Sequence, residues 1–304
     1  MKPPGESDVL QRFVFEGARV RGELVRLEDA WREVHRRRDY PPAVRAALGE
    51  LTAASVLLAA TVKFEDGALI LQVQGGHPLG LLVVECRSDR TFRATARWDG
   101  GTEALGAATT LAELATGGRC AITIDPGGRL TAYQGIVPLE GATTAAVLER
   151  YMARSEQLET LFALGANESR AVGLLLQKLP EDGGRPMAAE DPDLWNRAAH
   201  LLRTLTREEL LQLPEREILR RLFHDEDLRL FESLPVRFAC RCSRDRVAGV
   251  IRMIGAEEAR AVLQEKGQLD VSCEFCGESY TFDRAATERA LAAAPPPDAR
   301  DRPS

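Results

Sequence analysis

Four of the six cysteines fall within 37 residues. Cys240 and Cys242 flank one residue, thirty residues intervene, and Cys273 and Cys276 flank two. Two close pairs of thiolates offer the four soft ligands that tetrahedral zinc takes. Two ligands from one tight turn chelate at little entropic cost, and Gly277 follows the second pair where the chain must turn sharply. His35, His77, His200 and His224 are remote in sequence from both pairs. The expected site is therefore one Zn2+ per chain, held by Cys240, Cys242, Cys273 and Cys276.

Residues 235–284 amount to a module of about fifty residues, too small to bury a self-sufficient core. Zinc contributes on the order of 10–16 kcal/mol of apparent folding energy to such modules, so removing the metal should unfold this one. Oxidation removes it, because a disulfide sulfur has lost the charge that held the ion. A disulfide across the single residue between Cys240 and Cys242 would close a tight ring, and strained disulfides are readily reduced again. Arg237, Arg241, Arg244 and Arg246 surround the first pair and favour thiolate over thiol. The site reads as the sensor of a redox switch. Its plainest competitor is a zinc ribbon that only holds the C-terminal module together.

The elements around this module suggest an α+β protein: a largely antiparallel sheet with helices in an N-terminal domain, a helical linker, and the small zinc-binding module. Residues 1–180 carry alternating strand and helix signals. Helices are expected at 28–38 and, opened by Pro41-Pro42, through Val44, Leu48, Leu51, Val56 and Leu57. Strands are expected at 68–74, 81–86 and 91–98; in the last, Phe92, Ala94, Ala96 and Trp98 alternate with Arg93, Thr95 and Arg97. Asp125-Pro126-Gly127-Gly128 predicts a hairpin between 121–124 and 130–133. A helix is expected at 142–154 and an apolar run covers 171–179. A boundary is expected at 181–186. Residues 181–234 then form an acidic amphipathic linker, with Leu194, Ala198, Leu201, Leu202 and Leu205 on one helical face. Thr206 and Glu209 have capping-box spacing, and Pro214 breaks the helix before Ile218, Leu219, Leu222 and Phe223. Residues 285–304, rich in Ala, Pro and charge, read as a disordered tail.

The chain also resembles a known family, the redox-regulated bacterial chaperone called the 33-kilodalton heat-shock protein. The likeness covers most of the sequence: Arg12-Phe13-Val14-Phe15-Glu16, Val20-Arg21-Gly22-Glu23-Leu24-Val25, Asp39-Tyr40-Pro41, Thr61-Val62-Lys63-Phe64 and Leu71-Gln72-Val73-Gln74-Gly75. It continues through Tyr133-Gln134-Gly135-Ile136-Val137, Leu139-Glu140-Gly141, Arg154-Ser155-Glu156-Gln157-Leu158 and Gly173-Leu174-Leu175-Leu176-Gln177. The four cysteines match the family's metal ligands one for one. The resemblance implies a holding chaperone that needs no ATP and is nearly inactive when reduced and zinc-bound. It implies that hypochlorite, or peroxide with heat, drives Cys240 with Cys242 and Cys273 with Cys276 into disulfides and expels zinc. The module and linker would then unfold and expose apolar surface to unfolded client proteins, often as a homodimer.

Composition is compatible with that reading and narrows the alternatives. The 304 residues are 44% apolar and 28% charged, with a formal charge of −6, which disfavours a protein devoted to covering phosphates. A zinc-ribbon nucleic-acid-binding protein is the runner-up, weakened by the 8 cations and 8 anions of residues 235–284. No enzyme is expected: there is no Gly-Lys for a phosphate loop, no Gly-x-Ser-x-Gly and no His-Glu-x-x-His. A thiol–disulfide oxidoreductase built on Cys273 and Cys276 lacks the expected βαβ context. The first residues carry no secretory leader pattern, and the aliphatic runs at 53–62 and 79–84 fall short of the ~20 residues of a membrane span. A cytoplasmic protein with no membrane or nucleic-acid partner is expected. Cys86 and Cys120 lie in apolar strand-like runs and read as buried small hydrophobes.

Overall fold

The computed structural model describes residues 7–292, apart from 37, 64–65, 100–104, 106–109, 129, 141–142 and 181–190. It divides into two compact units, residues 1–238 and 239–304.

In the first unit, β1 (Val9–Phe15) and β2 (Val20–Leu27) form a hairpin followed by α1 (Asp29–His35) and α2 (Pro42–Thr61). A second antiparallel run, β3 (Ala68–Gln74), β4 (Leu79–Arg87) and β5 (Thr91–Trp98), precedes a one-turn α3 (Leu111–Leu114). Then come β6 (Arg119–Asp125), β7 (Tyr133–Pro138), α4 (Thr144–Tyr151), β8 (Thr160–Ala166) and β9 (Ala171–Lys178). Helices α5 (Leu194–Thr204), α6 (Arg207–Gln212) and α7 (Glu215–Phe223) lead into β10 (Leu228–Leu230), β11 (Leu234–Pro235) and β12 (Arg237–Phe238). One six-stranded sheet runs β10-β1-β2-β9-β8, with β11 also on β1; the other runs β12-β5-β4-β3-β6-β7. Pairing is antiparallel except between β12 and β5. The largely antiparallel α+β expectation holds.

Helix α2 explains how the sheets are joined. It packs against β2, β8 and β9 of one sheet and β3, β4 and β5 of the other, so it is apolar on nearly every side. By length and composition it could cross a membrane, being longer than the apolar run at 53–62 suggested, but 78% of its most apolar stretch is buried inside the protein. The first sheet is covered on both faces. Val25, Leu27, Ala171 and Leu175 face the α2 core, while Leu24, Val172, Leu174 and Leu176 face α5–α7. Strands buried on both faces lose the polar alternation by which a strand is read. Gly22 is required by a close approach: a Cβ there would meet the Phe13 ring at 2.0 Å.

The helices at 194–223 keep the expected faces. Thr206 and Glu209 form the capping box that starts α6, and Pro214 stands at the N-cap of α7. Leu194, Ala198, Leu202, Ile218, Leu219, Leu222 and Phe223 are all buried with Phe13 and Phe15. The polar fastening is Arg26, whose side chain is only 7% exposed. Its guanidinium donates to the carbonyls of Leu210, Leu211 and Leu213 and pairs with Glu215 at 2.8 Å. Arg170 adds a bond to the Leu211 carbonyl at 2.8 Å.

Several expectations shift. The hairpin strand expected at 130–133 begins at Tyr133, which pairs with Ile124, and runs to Pro138. The helix expected at 142–154 spans Thr144–Tyr151 and passes into a π turn at Met152–Glu156. That turn closes with Gln157 at φ 56° and with the Tyr151 hydroxyl donating to Glu156 at 2.6 Å. At the end of the segment expected as a helix over 28–38, the Arg38 guanidinium lies 4.9 Å from the Trp98 ring centre. The expected boundary at 181–186, along with Phe64 and Gly141, lies outside the described residues.

The second unit is small: α8 (Arg244–Ile254), α9 (Ala256–Lys266), the hairpin β13 (Leu269–Ser272) and β14 (Ser279–Phe282), and α10 (Arg284–Ala292). Its core is Val247, Ile251, Ala259, Leu263, Leu269 and Phe282. Helix α10 occupies the start of the segment expected as a disordered tail. Asp283 caps it by accepting from the Ala286 amide at 2.7 Å, Thr287 and Ala290 are buried, and Arg252 donates to the Ala290 carbonyl at 3.1 Å. Residues 293–304 lie outside the described residues.

Candidate metal centre

The two cysteine pairs reach the same place from different elements. Cys240 and Cys242 precede α8, whose N-cap is the next residue, Ser243, accepting from the Arg246 amide. The Arg246 guanidinium reaches back to the Arg241 carbonyl at 2.8 Å and closes this turn. Cys273 and Cys276 occupy the turn of the β13–β14 hairpin. The Cys273 amide donates to the Glu278 carbonyl, and the Gly277 amide to the Cys273 carbonyl, both at 2.8 Å. Gly277 has φ 69°, in the left-handed region where only glycine is free of strain.

All four sulfurs lie within 4.8 Å of one another. Cys240 Sγ is 3.6 Å from Cys273 Sγ, and Cys242 Sγ is 3.3 Å from Cys276 Sγ. Zn–S bonds of about 2.3 Å in a tetrahedron put the sulfurs about 3.8 Å apart, so the donor set and spacing fit such an ion. The cluster can hold a metal. Both of these contacts run between the pairs, so proximity alone does not select disulfide partners.

Hydrogen bonds reach the sulfurs from several directions. The Tyr280 hydroxyl donates to Cys242 Sγ at 3.2 Å, the Cys242 amide to Cys240 and the Glu278 amide to Cys276. Burial opposes ionisation of Cys242, but the Tyr280 bond and the neighbouring sulfurs outweigh it and hold that thiol below its ordinary value. Burial dominates at Cys240 and Cys276, which are held above theirs.

Cys86 and Cys120 take no part. Each is 1% exposed, and burial pushes both thiols up to about 12, which leaves them protonated and unreactive. Sequence reasoning found all four clustered cysteines and missed Tyr280. A tyrosine four residues beyond Cys276 carries no spacing signal; only the hairpin register brings it to Cys242 from the other pair.

Comparison with known proteins finds relatives along nearly the whole chain. The family model described as Hsp33 protein matches residues 8–283. A 33 kDa chaperonin of Methylobacillus flagellatus is 46% identical over 283 residues, covering 93% of this chain and 94% of that protein. The 33 kDa chaperonin of Chromobacterium violaceum is 48% identical over 277 residues, covering 91% of each. The crystal structure of the 33 kDa chaperonin (heat shock protein 33 homolog) of Thermotoga maritima shares the fold with a TM-score of 0.81 at 19% identity, across 94% of this chain and 98% of that one. With the match running from β1 to the end of the β13–β14 hairpin, this chain belongs to the Hsp33 family.

Proposed function

We propose that this chain is an oxidation-activated, ATP-independent holding chaperone of the cytoplasm, not an enzyme, that captures unfolding proteins. The observation that carries the reading is the four-sulfur cluster in a unit with so small a core. A cluster of six buried apolar residues, with six part-buried ones packed against it, is a small core to set against the conformational entropy of fifty-odd residues. The sulfurs Cys240, Cys242, Cys273 and Cys276 would bind one Zn2+, which supplies folding energy and no chemistry on the client.

Oxidation would act on the sulfurs. A thiolate attacks hypochlorous acid, forming an S–Cl bond and releasing hydroxide; a second thiolate displaces chloride and forms S–S. Two electrons leave the sulfur pair and the oxidant ends as chloride and hydroxide. We assign the pairs as Cys240 with Cys242 and Cys273 with Cys276, following the family resemblance. Disulfide sulfurs no longer hold the metal, and the C-terminal unit unfolds. Residues 181–234 would act as the linker. The buried faces of α5–α7 and the Phe13, Phe15 and Leu24 surface beneath them become apolar area for clients, with the active form a homodimer.

The test follows aggregation of a heat-unfolding client by light scattering, with reduced and oxidised protein. Suppression by the oxidised form alone is expected. Equal suppression by both forms, or none by either, contradicts the switch.

A further inference from the structure

Three of the sulfurs receive hydrogen bonds of different origin. The donors to Cys240 and Cys276 are backbone amides, of Cys242 and Glu278, fixed by the turns themselves. The donor to Cys242 is a side chain, the Tyr280 hydroxyl at 3.2 Å. Tyr280 is held from several sides. It pairs with Val271 across the hairpin, and its ring packs on the small core. The next strand residues are tied down by Arg244, which donates to the Thr281 carbonyl at 2.8 Å and stacks 4.3 Å from the Phe282 ring centre. Arg244 lies two residues from Cys242, so the strand bearing the phenol and the turn bearing the sulfur are fixed to each other.

A hydrogen bond into a sulfur lone pair withdraws the electrons with which that sulfur attacks an electrophile. Groups that donate to metal ligands commonly change affinity or activity ten- to a hundredfold. We infer that Tyr280 is a positioning residue that orients Cys242 toward the metal and lowers its reactivity toward oxidants and alkylating agents. The inference rests on the metal-site reading above and adds a point of regulation to it: the phenol sets how readily one sulfur of the sensor gives up its lone pair. Oxidation at Cys242 follows the balance already given, the lone pair being freed from Tyr280 before the S–Cl bond forms.

The test uses the full-length reduced protein loaded with zinc and treated briefly with N-ethylmaleimide. Mass spectrometry measures modification at each cysteine separately. Tyr280→Phe should raise the rate at Cys242 roughly tenfold relative to Cys273 in the same molecule. In the cobalt-loaded protein the thiolate-to-metal charge-transfer band should move to lower energy, a change that a merely structural role for the ring does not produce. An unchanged Cys242 rate and an unmoved band overturn the inference. If the variant fails to fold, incorporating 3-fluorotyrosine into the natural sequence strengthens the phenol as a donor. Cys242 should then react more slowly and the band move to higher energy; no change in either again overturns the inference. Wild-type protein that takes up no metal sinks the functional reading itself, whereas normal metal uptake with an unaltered Cys242 sinks only the role of Tyr280.

Discussion

At the residue scale the sulfurs are unequal, and their neighbours decide what each can do. Replacing Cys273 with Ser leaves three soft ligands. The reduced variant should lose stoichiometric zinc and the hydrogen-exchange protection of α8–α10, since the metal is worth on the order of 10 kcal/mol to a module this size. Cys86→Ala should leave metal content unchanged, because that thiol is buried and held up to about 12. Another residue buried away from the sulfurs gives a pH signature. Glu23 is buried, its Oε2 has no hydrogen-bond partner, and burial pushes its carboxyl up to about 7 despite Arg21 and Arg12 nearby. The folded state therefore holds this proton more tightly than the unfolded chain. Its contribution is most favourable below the ordinary carboxyl range, falls as pH rises from about 4.5 to about 7, and stays lost above that. Glu23→Gln should stabilise the protein by about 1–3 kcal/mol at pH 8 and by little at pH 4, measured by urea unfolding at both. The cysteines were legible because metal chelation imposes close spacing in sequence. Glu23 and Tyr280 were not, because each depends on a partner distant in the chain, β9 beside Glu23 and Cys242 beside Tyr280.

At the scale of elements, the docking of α6 and α7 combines an apolar face with one buried cation. Arg26→Ala leaves Glu215 without its 2.8 Å partner and takes the guanidinium donor from the Leu210 and Leu213 carbonyls, while the Leu211 carbonyl keeps Arg170. It should cost about 3–5 kcal/mol and raise hydrogen exchange in α6 and α7. Ile218→Ala removes a fully buried side chain from the same interface and should cost about 2–5 kcal/mol. On the proposed function, both variants should hold clients to some degree while still reduced and zinc-bound, since they loosen α6 and α7 without touching the sulfurs. The capping box at Thr206 and the helix start at Pro214 could be read from sequence because both are local backbone chemistry. Strand β5 could be read because one of its faces is polar. Strands β2 and β9 could not: apolar contacts on both faces remove the alternation. Helix α10 was hidden by its alanines, which pass for tail composition until Asp283 caps them and Thr287 and Ala290 are buried.

At the scale of the whole molecule, two units differ in what keeps them folded. Residues 1–238 have a large core around α2 and a second one beneath α5–α7. Residues 239–304 have a small core and four sulfurs. The chain passes from one to the other between Phe238 and Ala239, immediately before Cys240. Loss of the metal should therefore unfold the second unit while the α2 core of the first survives. Far-ultraviolet circular dichroism on chelation should show partial rather than complete loss of structure. The central claim is that metal, thiols and the C-terminal fold stand or fall together. It is tested most directly by counting bound zinc and free thiols on one sample before and after mild hypochlorite, with hydrogen exchange recorded across residues 239–292. One zinc with four protected thiols, all lost in step with protection of that segment, is the expected result. A reduced protein that is metal-free yet fully protected there would contradict the account.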